Sequence, residues 1–174
     1  MTEIVVRRGG VADAAVVLRL LDVAVAWLAE RGRTGQWGTA PASTDPRRIA
    51  QADGWAVGGG LWLAEVAGQP VGALVVGDAT EYVPPATEPE LYVNLLVTDR
   101  AHAGAGIGGR LLAHAAELAR ERGVNLLRVD CYAGDDGALV RWYERQGFTA
   151  TDPSAVSRPD GTQWPGQVLA RRLD

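Results

Sequence analysis

The stretch AGAGIGGRLL, residues 103–112, places Gly104, Gly106, Gly108 and Gly109 directly ahead of a helical pattern. Before it, ELYVNLLVT (Glu90–Thr98) reads as a strand. After it, Ile107, Leu111, Ala115, Leu118 and Ala119 fall on one helical stripe that stops at Arg122-Gly123. The chain is thereby committed to a strand, a glycine loop and a helix in that order, and any fold must accommodate this unit.

Such a loop admits several readings. It holds the literal spacing G-x-G-x-x-G in Gly104, Gly106 and Gly109, and Asp130 ends the following strand, as in a dinucleotide-binding unit. Against this, TDRAHA separates Val97 from Gly104 where the dinucleotide turn is tight, and too little sequence follows for a doubly wound sheet. A nucleoside-triphosphate loop needs a lysine and a hydroxyl where Arg110 and Leu111 stand. In a third reading, consecutive backbone N–H groups and the helix N-terminus cradle a coenzyme's pyrophosphate, with Arg100 and Arg110 adding positive charge. In the plainest reading the glycines only make a turn.

The remaining chain supplies the context. EIVVRR is a first strand closed by Gly9-Gly10. Val11 to Arg31 is a helix with Val16, Leu20, Val23, Trp27 and Leu28 near one face. A polar loop carries Gln36 and Trp37, and Asp45-Pro46 caps a short helix reaching about Ala52. Trp55–Val57, Leu61–Val66 and Pro70–Val76 read as strands, the last two forming a hairpin around AGQP. NLLRVDCYA is a further strand, Asp135 to Gln146 a helix closed by Gly147, and FTATD and GQVLARRL are final strands with a turn-rich stretch between. The order predicts an α+β fold in one domain, 1–174: a mixed, mostly antiparallel sheet with helices packed on it.

Composition narrows the function. A 174-residue chain with 47% hydrophobic and 22% charged residues has room for a core. The formal charge of −4 argues against broad nucleic-acid binding. All 17 basic residues are arginine, which we read as coding bias. One cysteine, Cys131, and two histidines exclude a disulfide framework and argue against metal catalysis. The start MTEIVVRRGG is no signal peptide, and no stretch approaches the roughly 20 apolar residues of a membrane span. The expectation is a cytoplasmic protein without membrane or nucleic-acid partners.

A second motif decides among the loop readings. In AGDDGALVRWYERQGF, residues 133–148, Ala138, Tyr143, Gly147 and Phe148 form A-x-x-x-x-Y-x-x-x-G-F. Together with LLVTDRAHAGAGIGGRLL this resembles the GNAT superfamily of N-acetyltransferases. The resemblance implies a three-layer fold with a splayed pair of central strands, and acetyl-CoA as cofactor. It aligns Ala103, Gly104, Ala105, Gly106, Ile107 and Gly108 with the Q/R-x-x-G-x-G/A loop that binds the coenzyme A pyrophosphate, Gly109 then serving helix packing. Ala103 departs, since Gln or Arg is usual there, and Arg100 is positioned in sequence to replace that charge. By the same resemblance, the backbone of Leu95, Leu96 and Val97 binds the pantetheine arm, and Asp136 stands where many members have Asn. Capping the helix is the alternative role for Asp136.

The implied chemistry is direct attack of an amine on a thioester through a tetrahedral intermediate. Tyr143 is the expected proton donor to the leaving thiolate, because a phenol of pKa about 10 stays protonated where a thiol of about 8.5 does not. A backbone N–H near Leu96 would serve the oxyanion. Glu90 and Asp130 are both candidates for the general base. Cys131 reads as a buried small hydrophobe. Trp27, Gln36, Trp37, Tyr92, Asn94 and Trp142 are expected to line a pocket for a small-molecule or peptide amine. A module that binds the coenzyme without catalysis is the second reading. Similar proteins often form homodimers, and no stretch of the sequence locates such an interface.

Overall fold

The computed structural model describes residues 3–173. Strands β1 (Ile4–Arg8), β2 (Leu61–Val66), β3 (Gln69–Gly77), β4 (Leu91–Thr98), β5 (Leu126–Tyr132), β6 (Thr149–Ser157) and β7 (Gln163–Arg172) form a sheet of order β1-β2-β3-β4-β5-β7-β6. Helices α1 (Ala14–Glu30) and α2 (Pro46–Gly58) precede β2, α3 (Ile107–Glu121) follows β4, and α4 (Ala138–Arg145) follows β5. The pairs β1–β2, β2–β3, β5–β7 and β6–β7 are antiparallel, and β4–β5 is parallel. The sheet is thus mixed and mostly antiparallel, as the sequence predicts. Two compact units divide the chain, one holding residues up to Val76 with Leu95–His114, the other Gly77–Asn94 with Ala115 onward.

In the first unit, the β2–β3 hairpin turns at Ala67 and Gly68, with φ of 51° and 78°. Positive φ at both central residues follows the twist of the strands they join, and Val66 pairs with Gln69 across the turn. Leu61 and Leu63 of β2, Ala73 and Val75 of β3 and Val97 of β4 pack with Val17, Leu20, Leu21 and Ala24 of α1 and Ala52 and Ala56 of α2. The other face of β3 receives α3. A side chain at Gly72 would meet Ile107 Cγ2 at 2.8 Å and Leu111 Cδ1 at 3.0 Å. Glycine is what lets α3 approach so closely.

In the second unit, β5 pairs with β4 over Leu91–Val93 and with β7 from Leu126↔Arg172 to Tyr132↔Gly166. The β6–β7 hairpin closes through residues 158–162, where Arg158 N–H donates to Thr162 O at 2.8 Å. Its register shifts between Ala150 and Pro153. Pro153, which pairs with Gln167 after the shift, has no N–H for the ladder, so the irregularity falls where the strand lacks a donor.

Four sequence expectations are corrected. Trp55–Val57 is no strand: α2 continues to Gly58, because Ala52 and Ala56 recur four residues apart on a buried face, and Gly59, at φ 84°, ends the helix. The helix expected from Asp135 begins at Ala138, since Asp135 and Gly137 take left-handed φ of 59° and 72°. The helix expected from Val11 opens as a 3-10 turn over Val11–Asp13, and its buried stripe is Val17, Leu20, Leu21, Ala24 and Val25. Nearly every position of α1 is apolar, so several stripes fit the periodicity and only packing selects one. The final strands are longer than expected and leave only residues 158–162 between them.

Two glycines near the α2–β2 junction make opposite predictions. A side chain at Gly54, inside α2, meets nothing within 4 Å. Gly54→Ala should therefore stabilise by about 0.5–1 kcal/mol. A side chain at Gly60 would collide with the Val76 carbonyl oxygen, beside the bond from Val76 N–H to Gly60 O of 3.0 Å. Gly60→Ala should cost about 1–3 kcal/mol in denaturant unfolding. An unchanged midpoint for Gly60→Ala would contradict the packing described for this junction.

Candidate functional site

The glycine loop is built from Asp99 onward. Asp99 N–H donates to Val71 O at 2.7 Å, and its carboxylate accepts from Ala101 N–H at 3.0 Å. This caps a 3-10 turn over Arg100–His102. Ala103 and Ala105 then donate back to Arg100 O and His102 O at 3.2 and 3.1 Å. Gly104 and Gly106 take φ of 84° and 80°, a conformation strained for any residue with a Cβ. Arg110 N–H donates to Gly106 O at 3.0 Å, the first rung of α3. The amides of Ile107, Gly108 and Gly109 precede that rung, so they have no intrahelical acceptor.

Ala103 to Gly106 are exposed, and a Cβ at Gly104 or Gly106 would meet nothing within 4 Å, so the loop opens outward. Ile107 and Gly108 are buried and Gly109 half-buried, which anchors the helix behind the loop. Amides without an intrahelical acceptor, left-handed glycines and a 15-residue helix behind them fit a pyrophosphate. Arg110 is exposed in the first turn. The Arg100 guanidinium lies 3.9 Å from the centre of the Trp27 indole, and Arg31 lies 3.9 Å from the same ring. The structure thus brings Trp27 together with Arg100. Gln36 is half-buried, and Trp37 packs partly against the core of this unit. Leu95 packs against that core beside buried Val97, and Leu96, between them in sequence, is half-buried.

In the second unit, β5 organises the titratable side chains. Asp130 accepts from two phenols, Tyr92 at Oδ1 and Tyr82 at Oδ2, the latter at 3.2 Å. Tyr92 is fully buried with Val83 and Val168. Burial, then the hydrogen bond to Asp130, hold its pKa well above the ordinary phenol value. Arg128, 6% exposed, donates to both oxygens of Glu90 at 2.6 and 2.9 Å and to Pro84 O at 3.0 Å. Both Glu90 oxygens are therefore committed to a buried cation. Asn94 donates to Asp78 O at 2.9 Å. Asp136 accepts from Ala138 N–H at 3.1 Å, closing the turn into α4.

Tyr143 of α4 is buried and meets Trp142 and Phe148 edge-on, with ring centres 4.9 and 5.7 Å away. Its pKa is raised by burial first, then by Cys131 and by the charge of Asp130. The phenol therefore keeps its proton across the physiological range. Cys131 is buried, and burial with the neighbouring Asp130 charge pushes its thiol up to about 12. Sequence reasoning did not single out Tyr82 and Arg128. An arginine within LLRVDCY was a signal, because a buried strand cation requires a carboxylate partner. Among the described residues no group of His, Cys, Asp and Glu could hold a metal ion, and no helix is long and apolar enough to cross a membrane.

The model of the acetyltransferase (GNAT) family matches residues 24–148. Acetyltransferase Atu2258 of Agrobacterium fabrum is 46% identical over 59 residues, which are 34% of this chain and 41% of that protein. The chain thus matches less than half the length of this curated relative. The yncA protein of Salmonella typhimurium, solved with its cofactor acetyl-CoA, superposes with a TM-score of 0.65 at 20% identity, covering 98% of this chain and 94% of that one. A GCN5-related N-acetyltransferase from Rhodopseudomonas palustris gives 0.70 at 21% identity over 99% and 98%. Likeness at these identities shows a shared fold.

The perturbed thiol gives a direct check. With its pKa at about 12, Cys131 carries less thiolate at pH 8 than a free cysteine, for which the value is about 8.5. A disulfide reagent at pH 8 should label the folded chain about a thousandfold more slowly than the chain in denaturant. Complete labelling of the folded chain within minutes would contradict the burial described.

Proposed function

The chain belongs to the acetyltransferase (GNAT) family, whose members use acetyl-CoA as donor, and on that premise we propose that it transfers the acetyl group to a primary amine of a small molecule or peptide. The observation that carries this reading is the outward-opening loop at Gly104–Gly106, with its two left-handed glycines at the start of α3. The bound coenzyme would supply an activated thioester. In this reading the amides of Gly104 and of Gly106 to Gly109 hold its pyrophosphate. Ala103 offers no side-chain contact, and Arg100 and Arg110 supply the charge. The backbone of Leu95, Leu96 and Val97 receives the pantetheine arm, and the Leu96 amide faces the oxyanion.

The second unit supports a division of proton work. Tyr143 holds a proton for the leaving sulfur, and its buried, raised pKa keeps that proton available. Asp130 is the better general base, because both Glu90 oxygens are bound by Arg128. Asp130 and Cys131 are consecutive on β5, so their side chains leave opposite faces of the strand. Tyr92 acts through Asp130. The proposed acceptor contacts are Trp27, Gln36 and Trp37 in the first unit and, separately, Asn94 and Trp142 in the second, and Asp136 shapes the start of α4. A cytoplasmic location and a homodimer belong to the same reading.

The test is thiol release from acetyl-CoA against a panel of primary amines. We expect turnover with at least one amine. Tyr143→Phe should lower kcat about 10²–10⁴-fold while leaving coenzyme affinity nearly unchanged. Gly106→Val should weaken coenzyme binding, because its φ of 80° is strained for valine. Coenzyme binding without turnover on any amine would replace catalysis with the binding-module reading, and full turnover by Tyr143→Phe would remove the phenol from the mechanism.

A further inference from the structure

Tyr82 is the one aromatic residue of the stretch EYVPPATEPE, and it is 46% exposed. An exposed side chain on a loop ordinarily samples many positions. Here the two following residues hold it in place. Val83 is 5% exposed and buried against Tyr92 and Val168, and its N–H donates to Thr80 O at 3.2 Å. Pro84 O accepts from the buried Arg128 guanidinium at 3.0 Å. Tyr82 is carried on this anchored turn with its hydroxyl donating to Asp130 Oδ2 at 3.2 Å.

We infer that Tyr82 is a positioning residue for Asp130: its hydroxyl holds the carboxylate aimed to take a proton from the ammonium group of the acceptor. This rests on the acetyl-transfer reading above. In the step, an ammonium N–H bond breaks, the electron pair stays on nitrogen as the nucleophile, and the proton passes to a carboxylate oxygen. Each oxygen of Asp130 accepts one phenol and keeps acceptor capacity for that proton.

The surroundings of Asp130 leave its two phenols as the groups that tune it. Tyr92 faces it from β4 and Tyr82 from the anchored turn. On β5, Arg128 shares its face but is held by Glu90, and Cys131 is buried. Across the β5–β7 pairing stands Val168. From α4, Tyr143 is buried and keeps its proton.

The test is the steady-state kinetics of Tyr82→Phe in the full chain, measured alone and in the Asp130→Asn background. We expect Tyr82→Phe to lower kcat for the amine about three- to tenfold while the KM for acetyl-CoA stays unchanged. In the Asp130→Asn background the same substitution should have no further effect, because a residue that acts through Asp130 has nothing left to position. An unchanged kcat, or an equal loss in both backgrounds, would overturn the role of Tyr82 and leave the acetyl-transfer reading standing. Failure of the unaltered chain to acetylate any amine would overturn both.

Discussion

Two glycines in the left-handed region, Gly104 and Gly106, set the direction in which the chain enters α3. The carbonyl of Gly106 receives the first helical rung from Arg110, so the amides of Ile107, Gly108 and Gly109 just before it have no acceptor within the helix. The helix can begin there because Gly72 of β3 lets Ile107 and Leu111 come against the strand. A side chain at Gly72 would push the helix away, and one at Gly106 would strain its first turn. The proposed anion cradle therefore follows from backbone conformation and close packing, and it does not depend on a side chain at position 103. In that reading Ala103 can stand where the family resemblance puts Gln or Arg.

The second unit relies on a different rule, the alternation of side chains along β5. Arg128 and Asp130 share one face, and Val129 and Cys131 share the other. Arg128 is stabilised by Glu90 and in turn fixes Pro84 O, so one ion pair both neutralises a buried cation and anchors a loop. Removing one partner of such a pair typically costs about 3–5 kcal/mol, because the other charge is left buried. Among the described residues, Asp130 is held by phenols and by no cation. The two carboxylates named by the sequence thus have different environments: Glu90 neutralises a buried arginine, and Asp130 accepts from two phenols.

Much of this was legible in the sequence. The AGQP hairpin, the stripe of α3 and the loop glycines follow from spacing alone, since each depends on neighbours within a few residues. The strand reading of Trp55–Val57 failed because an apolar triplet carries no period of its own, and the burial of Ala52 and Ala56 decided the matter. The division between Glu90 and Asp130 was not legible, because it depends on Arg128, 38 residues from Glu90, and on Tyr82, 48 residues from Asp130. Tyr143 was legible from the motif, whereas the burial that keeps it protonated is set by its packing with Trp142 and Phe148.

The central claim is that the backbone at the start of α3 holds the coenzyme's pyrophosphate. Proton–nitrogen correlation spectra of the isotopically labelled chain, recorded as coenzyme A is added, test it most directly. The account predicts that the amides of Gly104 and of Gly106 to Gly109 show the largest downfield shifts, as expected for N–H groups that gain an anionic acceptor. Saturable binding with these amides unmoved would contradict it.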